Sequence, residues 1–349
     1  MDKSPNFPAA LSHLLSRQFW ALRSLIKLGK VLLLLVATAI PALAADRISV
    51  EQLEQTLAAA RGQRDSEIAQ QLSKLELTER LSLAGLARAE SEAPGPQSRR
   101  SLVVLSDVSA FLDPPAAEIP DLAKPDPAAQ RTMIALTVDY VKKTIHQLPN
   151  LFARRVTSSF QGDLWLKKPL HPAGKYSAVV LYRDGDESLQ SSGSKSGAPG
   201  LTTSGEFGPI LGTALLDAAQ GNLIWSHWEQ GAAGPEAVYR YSVNAEKSHY
   251  EVENQFSGYE GEIAIDPSNG AVLRLVLRAY PEPTNPFLTA RIVVEYGPVE
   301  IGGKTYICPL KGIALSQGLE LIWLNVVHFQ QYHLFRGSAR ILPGFRKVP

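Results

Sequence analysis

"IAIDPSNGAVLRLVLRAY", residues 263–280, sets an Asp-Pro-x-x-Gly turn directly ahead of a run in which apolar and charged side chains alternate. Asp266 and Pro267 suit the opening of a type I turn, and Gly270 its close. In the run that follows, Leu273, Leu275 and Leu277 fall on one side of a strand, and Arg274, Val276 and Arg278 on the other. The next run, "ARIVVEY" (290–296), divides the same way, with Ile292, Val294 and Tyr296 opposite Arg291, Val293 and Glu295. Strands joined by short turns pair antiparallel, and this alternation predicts one apolar and one largely solvated face.

The same period extends in both directions after Pro149. "YSAVVLYRDGD", "NLIWSHWEQG", "AVYRYSV", "YEGEIAID", "KTYICPL" and "NVVHFQQYHLFRGSARIL" are strand-length runs bounded by turn signals, with no helical run expected between them. Gly302-Gly303 supplies the positive φ of a two-residue hairpin. Residues 184–205, "DGDESLQSSGSKSGAPGLTTSG", are polar and of low complexity and are expected to form a flexible loop.

Ahead of Pro149 the period is helical. Ser49 and Gln52 form a capping box before Leu53 and Leu57; Ile68, Leu72 and Leu75 suggest a second helix, and Leu81 and Leu86 a third. Residues 45–92 are therefore expected to be helical. Residues 93–126 hold "EAPGPQS", "DPPAAEIP" and "AKPDP" and read as a proline-rich linker, interrupted by one short helix around Leu102 to Phe111. Asp126 followed by Pro127 opens the most regular helix. Its stripe is Ile134, Val138, Val141, Ile145 and Leu148, and it is predicted to pack into the concavity of the sheet within a domain spanning 127–349.

Residues 1–44 read as an export signal. Lys3, Arg17, Arg23, Lys27 and Lys30 precede "VLLLLVATAIPALAAD", and Ala42-Leu43-Ala44 forms the cleavage box, with cleavage expected before Ala45. The apolar run is shorter than the roughly 20 residues of a spanning helix; retention as an anchor is the alternative. No later run reaches that length, so no span is expected once the signal is removed. Removing the signal takes five of the 35 basic and one of the 34 acidic residues, leaving 30 against 33, which argues against a nucleic-acid partner. Cys308 is the single cysteine, so no internal disulfide can form.

"IAIDPSNGAVLRLVLRAY", then "IVVEYGPVEIGGKTYICPLKGIAL" and a final "NVVHFQQYHLF", resemble the back half of the periplasmic lipoprotein-sorting half-barrels, the LolA and RseB-like fold, and a recurrent segment of uncharacterised secreted bacterial proteins. The resemblance covers residues 237–340 and implies an α+β protein: a curved antiparallel half-barrel packed on a helix, located in the periplasm or outside the cell. In those relatives the apolar face accepts acyl chains or lipidated partners, which implies a lipid, a lipoprotein or an envelope protein as partner. The helical and proline-rich region before Pro149 has no counterpart there.

No polar constellation points to catalysis, and neither a cofactor nor a metal is expected. His227 and Glu229 share a face without a third ligand; His328 and His333 lie on opposite faces unless a bulge intervenes. Asp184 and Asp186 suit a solvated turn better than a calcium site. Trp225, Trp228, Tyr239, Tyr241 and Phe256, with Tyr259, fall in successive strands and are the candidate ligand-binding residues; the competing reading packs them against the helix beginning at Asp126. The expectation is a non-enzymatic envelope protein that binds an apolar ligand. A structural or interaction module plugged by its own helix is the alternative, and a hydrolase ranks third.

Overall fold

A computed structural model describes residues 46–191 and 197–335. The expected cleavage point before Ala45 lies outside them. The described residues from Arg47 onward fall in one compact unit, Arg47–Pro349.

Its first part is a small helical layer. α1 (Val50–Ala59) begins at the expected capping box, with Ser49 Oγ accepting from Gln52 N at 3.1 Å and Gln52 Oε1 accepting from Ser49 N at 2.9 Å. α2 (Asp65–Leu72) follows, and α3 (Leu83–Glu92) starts on Ser82. The short strands β1 (Asp46–Ile48) and β2 (Leu75–Leu77) form a two-stranded sheet. α4 (Pro96–Ser109) is longer than the linker reading allowed and begins earlier. Its cap is tertiary: the Asp65 carboxylate accepts from Gln97 N, Ser98 N and Ser98 Oγ at 2.6–2.9 Å. An acidic group at a helix N-terminus satisfies orphan N–H donors and complements the macrodipole. Leu53, Leu57, Ile68, Leu72, Leu102 and Leu105 then form one core, so residues up to 105 belong to the helical layer.

α5 (Pro127–Gln147) starts as expected, Asp126 Oδ1 accepting from Ala128 N and Ala129 N at 2.8 Å. Its buried side is Met133, Thr137 and Val141, with Leu148 buried just past its end, while Ile134 and Val138 lie at its margin and the Ile145 side chain is outside the described residues. The helix is rotated relative to the predicted stripe. Thr137 can go inward because its hydroxyl donates to Met133 O at 3.0 Å, leaving no unpaired polar group.

Beyond α5 the chain is one curved, unclosed antiparallel sheet of ten strands. The strands are β3 (Leu151–Asp163), β4 (Lys168–Arg183), β5 (Asp186–Ser191), β6 (Asn222–Gln230), β7 (Pro235–Val243), β10 (Gly258–Ile265), β11 (Val272–Tyr280), β12 (Thr289–Ile301), β13 (Lys304–Gln317) and β14 (Leu321–Leu334). β8 (Glu251–Val252) and β9 (Gln255–Phe256) make a separate small hairpin. The order across the large sheet is β5-β4-β3-β14-β13-β12-β11-β10-β7-β6. The fold class read from the sequence, α+β with a half-barrel, is the one observed.

Four local expectations change. β3, "LFARRVTSSFQGD", was missed because its inward row after Leu151 and Ala153 is Arg155, Thr157 and Ser159, which breaks the apolar alternation. α6 (Pro209–Gln220) lies among the strands where no helix was expected, its Ile210, Leu211, Ala214 and Ala218 buried. The 184–205 segment is not a free loop among its described residues: β5 pairs with β4, and Leu201 and Thr203 are buried. A bulge between Gln330 and His333 places His328 opposite Val156 and His333 opposite Phe152, so the two histidines share a face.

The fifth change concerns solvation. The side of β11 expected to face water is buried, Arg274 at 8% exposure and Val276 at 1%. Ala110 and Phe111, at the end of α4, pack there on Val276, Val293, Ile313, Leu315, Leu324 and Val326. An antiparallel sheet can leave one face wet, but here the helical layer takes it. We call this the outer face; the face carrying Leu275 and Leu277 is the inner one.

Candidate functional site: the covered inner face

Strand register makes the inner face bipartite. From β6 to β12 it is apolar and aromatic: Tyr239 and Tyr241 sit opposite Ile263 and Gly261, which sit opposite Leu275 and Leu277, then Val294 and Ile292. α5 and α6 cover this half. From β13 to β3 polar side chains enter the row, Ser316, Asn325, Thr157, Ser159 and Arg155, all buried, beside the apolar Val327 and Phe329. Residues 197–208 lie across this polar half as a strap.

The strap is held by named bonds. Leu201 N donates to Ser316 Oγ at 3.1 Å, and Asn325 Nδ2 donates to Pro199 O and Leu201 O, both at 2.8 Å. Gly200 has φ +76° and lies so close to Trp323 that a Cβ would sit 2.6 Å from the Trp323 Cβ, so only glycine fits. Further along, Arg155 donates to Thr203 Oγ1 at 2.9 Å and lies 3.5 Å from Glu206, to which Thr203 also donates. Glu187 on β5 accepts from Phe207 N at 3.1 Å. Phe207 meets Phe329 edge-on at 5.5 Å.

Glu187 and Glu206 thus face each other in a buried place with one arginine near. Burial, and then the Glu206 charge, push the Glu187 carboxyl up to about 8. The folded state therefore holds a proton that the unfolded chain gives up near 4.5, so this group's contribution to stability falls as pH rises from about 4.5 to about 8. Glu187→Gln should remove that slope. Its thermal midpoint, equal to or below the parent's at pH 5, should exceed it at pH 8; parallel midpoints across the range would show that no proton is shared there.

α6 is fixed at its other end by Asp217, which is fully buried. Asp217 accepts from Tyr259 Oη at 2.7 Å and His249 N at 2.8 Å, and its Oδ1 lies 2.5 Å from His249 Nδ1. The atoms buried without a hydrogen-bond partner among the described residues include Arg155 Nε, Ser159 Oγ, Tyr296 Oη and Asn325 Oδ1. All four sit under or beside the strap, and each carries the desolvation cost of an unmade bond, about 1–3 kcal/mol.

The aromatic residues chosen from sequence divide. Trp225 packs edge-on against Trp228 at 5.0 Å and Tyr239 at 5.5 Å. Trp228 Nε1 donates to Ala123 O at 2.9 Å, and Tyr239 Oη to Gln130 O at 3.4 Å. Tyr241 donates to Val276 O at 2.6 Å and meets Tyr259 at 5.8 Å. These four rings lie between the sheet and its cover; Phe256 does not join them and is exposed on β9. Arg155, Glu187, Thr203, Glu206 and Asp217 were not anticipated, and no local pattern marks them, because their partners are distant in sequence.

His227 and Glu229 come together, His227 Nε2 lying 3.8 Å from Glu229 Oε2. Arg80 and Arg274 grip the same carboxylate. Cys308 is buried, and burial pushes its thiol up to about 12, so it behaves as a small hydrophobe.

No protein-family model matches the chain, and no curated protein matches it. The chain resembles a lipoprotein-sorting domain. That solved structure, an outer membrane lipoprotein-sorting protein domain from Vibrio parahaemolyticus, shares 8% identity over 60% of this chain and 95% of its own, with a TM-score of 0.33. The half-barrel described above rests on strand order and pairing. Among the described residues no helix is long and apolar enough to cross a membrane.

Proposed function

We infer that this is an exported, non-catalytic binding protein of the cell envelope whose inner face takes an amphipathic, acyl-bearing ligand. The strap at 197–208 and α6 act as its lid. The observation that carries this reading is the bipartite inner face. An apolar half beside a polar half with an arginine suits a molecule with a hydrocarbon tail and an oxygen-rich head. The cover over the polar half leaves single polar atoms of Arg155, Ser159, Tyr296 and Asn325 without a partner, so opening it returns their solvation and costs less than opening a fully satisfied interface. Export is supported by the leader pattern in residues 1–44.

Titration with palmitate, read through tryptophan emission, tests the proposal. Trp323 touches the strap and Trp225 and Trp228 border α5 and α6, so displacement of the lid should give a saturable change. Arg155→Ala should weaken palmitate while leaving a neutral hydrocarbon probe bound. Protein purified from the envelope should carry acyl species in native mass spectrometry. The second reading, a scaffold plugged by its own helices, is favoured by the closed edge-on packing of Trp225, Trp228 and Tyr239. An unresponsive spectrum together with ligand-free mass spectra would establish it.

A further inference from the structure

The register places one set of turns at a single end of the large sheet. Asp163 pairs with Lys168 and with Leu321, Ile322 with Gln317, Gln317 with Thr289, and Tyr280 with Gly258, so the β3–β4, β13–β14 and β11–β12 turns and the hairpin before β10 all lie there. Each carries large apolar side chains in solvent: Trp165 at 78% exposure, Leu166 at 77%, Leu319 at 79%, and Leu288, Tyr280 and Phe256 about half exposed. The turns at the other end do not match this: Gly302-Gly303, Asp266–Gly270 and Asp184-Gly185 are polar or glycine.

Two of these tips are built as one rigid piece. Leu164 N donates to Glu320 O at 2.9 Å, joining the β3–β4 turn to the β13–β14 turn, and Leu166 N donates to Asp163 Oδ1 at 2.7 Å. Lys167 follows with φ +49°, turning the chain sharply so that Trp165 and Leu166 stand at the apex. Lys167 and Lys168, both exposed, sit just behind them.

We propose that this end of the sheet docks on a lipid bilayer, with Trp165, Leu166 and Leu319 inserted at the boundary between headgroups and acyl chains. Separate shallow apolar tips, split by polar backbone and acids, suit a fluid boundary that closes around each one; a protein partner would require a continuous complementary patch. Indole at the apex with lysine stems behind it matches what that boundary favours. Glu320 and Glu282 offset Lys167 and Lys168, so apolar insertion drives the contact and charge does not. The docking surface is independent of whether the inner face takes a ligand.

The full chain is mixed with vesicles of phosphatidylethanolamine and phosphatidylglycerol carrying brominated acyl chains. Quenching of tryptophan emission should fall in Trp165→Ser by the share belonging to that residue, and Leu319→Ser should weaken partition about tenfold. Any binding through the leader is common to all three proteins and cancels in the comparison. High salt should leave the difference intact, since screening removes charge attraction only. Both positions are exposed, and an unchanged circular dichroism spectrum and thermal midpoint would show that the variants remain folded. Equal quenching and partition in parent and variants would overturn the proposal. So would a dimer in sedimentation that the same substitutions dissolve, because the tips would then bind a second copy of the chain.

Discussion

Gly270→Val is expected to destabilise the Arg47–Pro349 unit by about 3–5 kcal/mol, read as a lower urea midpoint with an unchanged slope. Gly270 closes the turn after β10 with φ +76°, where a β-branched side chain is strained. A Cβ there would also lie 2.4 Å from Leu136 C and 2.5 Å from Thr137 N, which are backbone atoms of α5. Neither side can yield easily. The turn is held by Gly270 N donating to Asp266 O at 2.9 Å, Ser268 N to Asp266 Oδ1 at 2.8 Å, and Ala271 N to Asn269 Oδ1 at 2.8 Å. The helix, for its part, has Met133 and Val141 in the main core. A valine there would therefore lift α5 from the sheet, and Gly270→Ala should show a smaller loss in the same direction. A midpoint unchanged in both would mean that α5 does not sit on this turn.

Glu229→Leu should cost a comparable amount for a different reason. Arg80 and Arg274, each with only a tenth or less of its side chain exposed, share the Glu229 carboxylate, Arg274 at 2.5 Å. Removing it leaves both guanidinium groups buried without their closest anion, Arg274 keeping only Glu262 at 4.0 Å, and breaking a buried pair in this way costs about 3–5 kcal/mol. Burial works to raise the Glu229 carboxyl, but His227 and then Arg80 outweigh it and hold it below the ordinary 4.5. Its contribution is therefore complete above pH 4.5 and fades as pH falls through the lowered value. The parent's advantage over Glu229→Leu should shrink in acid. If apolar residues replace Arg80, Glu229 and Arg274 together, most of the lost stability should return. A variant as stable as the parent at pH 7 would show that the cluster is solvated and outside the ledger of folding.

This cluster also shows how the helical layer is bound to the sheet. Arg80 precedes α3, and Asp113, just past α4, pairs with Arg240 at 2.6 Å; Arg240 reaches Glu262 at 2.9 Å, and Lys311 reaches Asp107 at 2.5 Å. Arg278 donates to Phe111 O. Arg278, which alternation assigned to solvent, is thus one of the points at which the helical layer is attached, and Arg274, assigned with it, holds the Glu229 carboxylate that Arg80 shares.

What the sequence determined by itself is whatever nearest neighbours decide. Ser49 with Gln52 caps α1, Asp126 with Pro127 starts α5, Asp266 to Gly270 makes its turn, Gly302-Gly303 makes its hairpin, and period two from residue 222 onward makes an antiparallel sheet. Each signal needs only hydrogen bonds or side-chain spacing within a few residues, so it survives without knowledge of the rest of the chain. Tertiary structure alone decided the remainder. α4 begins at Pro96 because Asp65 caps it from another helix, and β3 is a strand although its inward row is polar, because it pairs along its length with β14 and β4 while Thr203 and Glu206 of the strap take up Arg155. Which face of the sheet stays wet, and which aromatic ring becomes core and which stands in solvent, follow from what packs against them. A side chain's own identity does not contain that information: the energies of burial and ion pairing belong to pairs of residues more than a hundred positions apart, as Arg80 and Glu229 are.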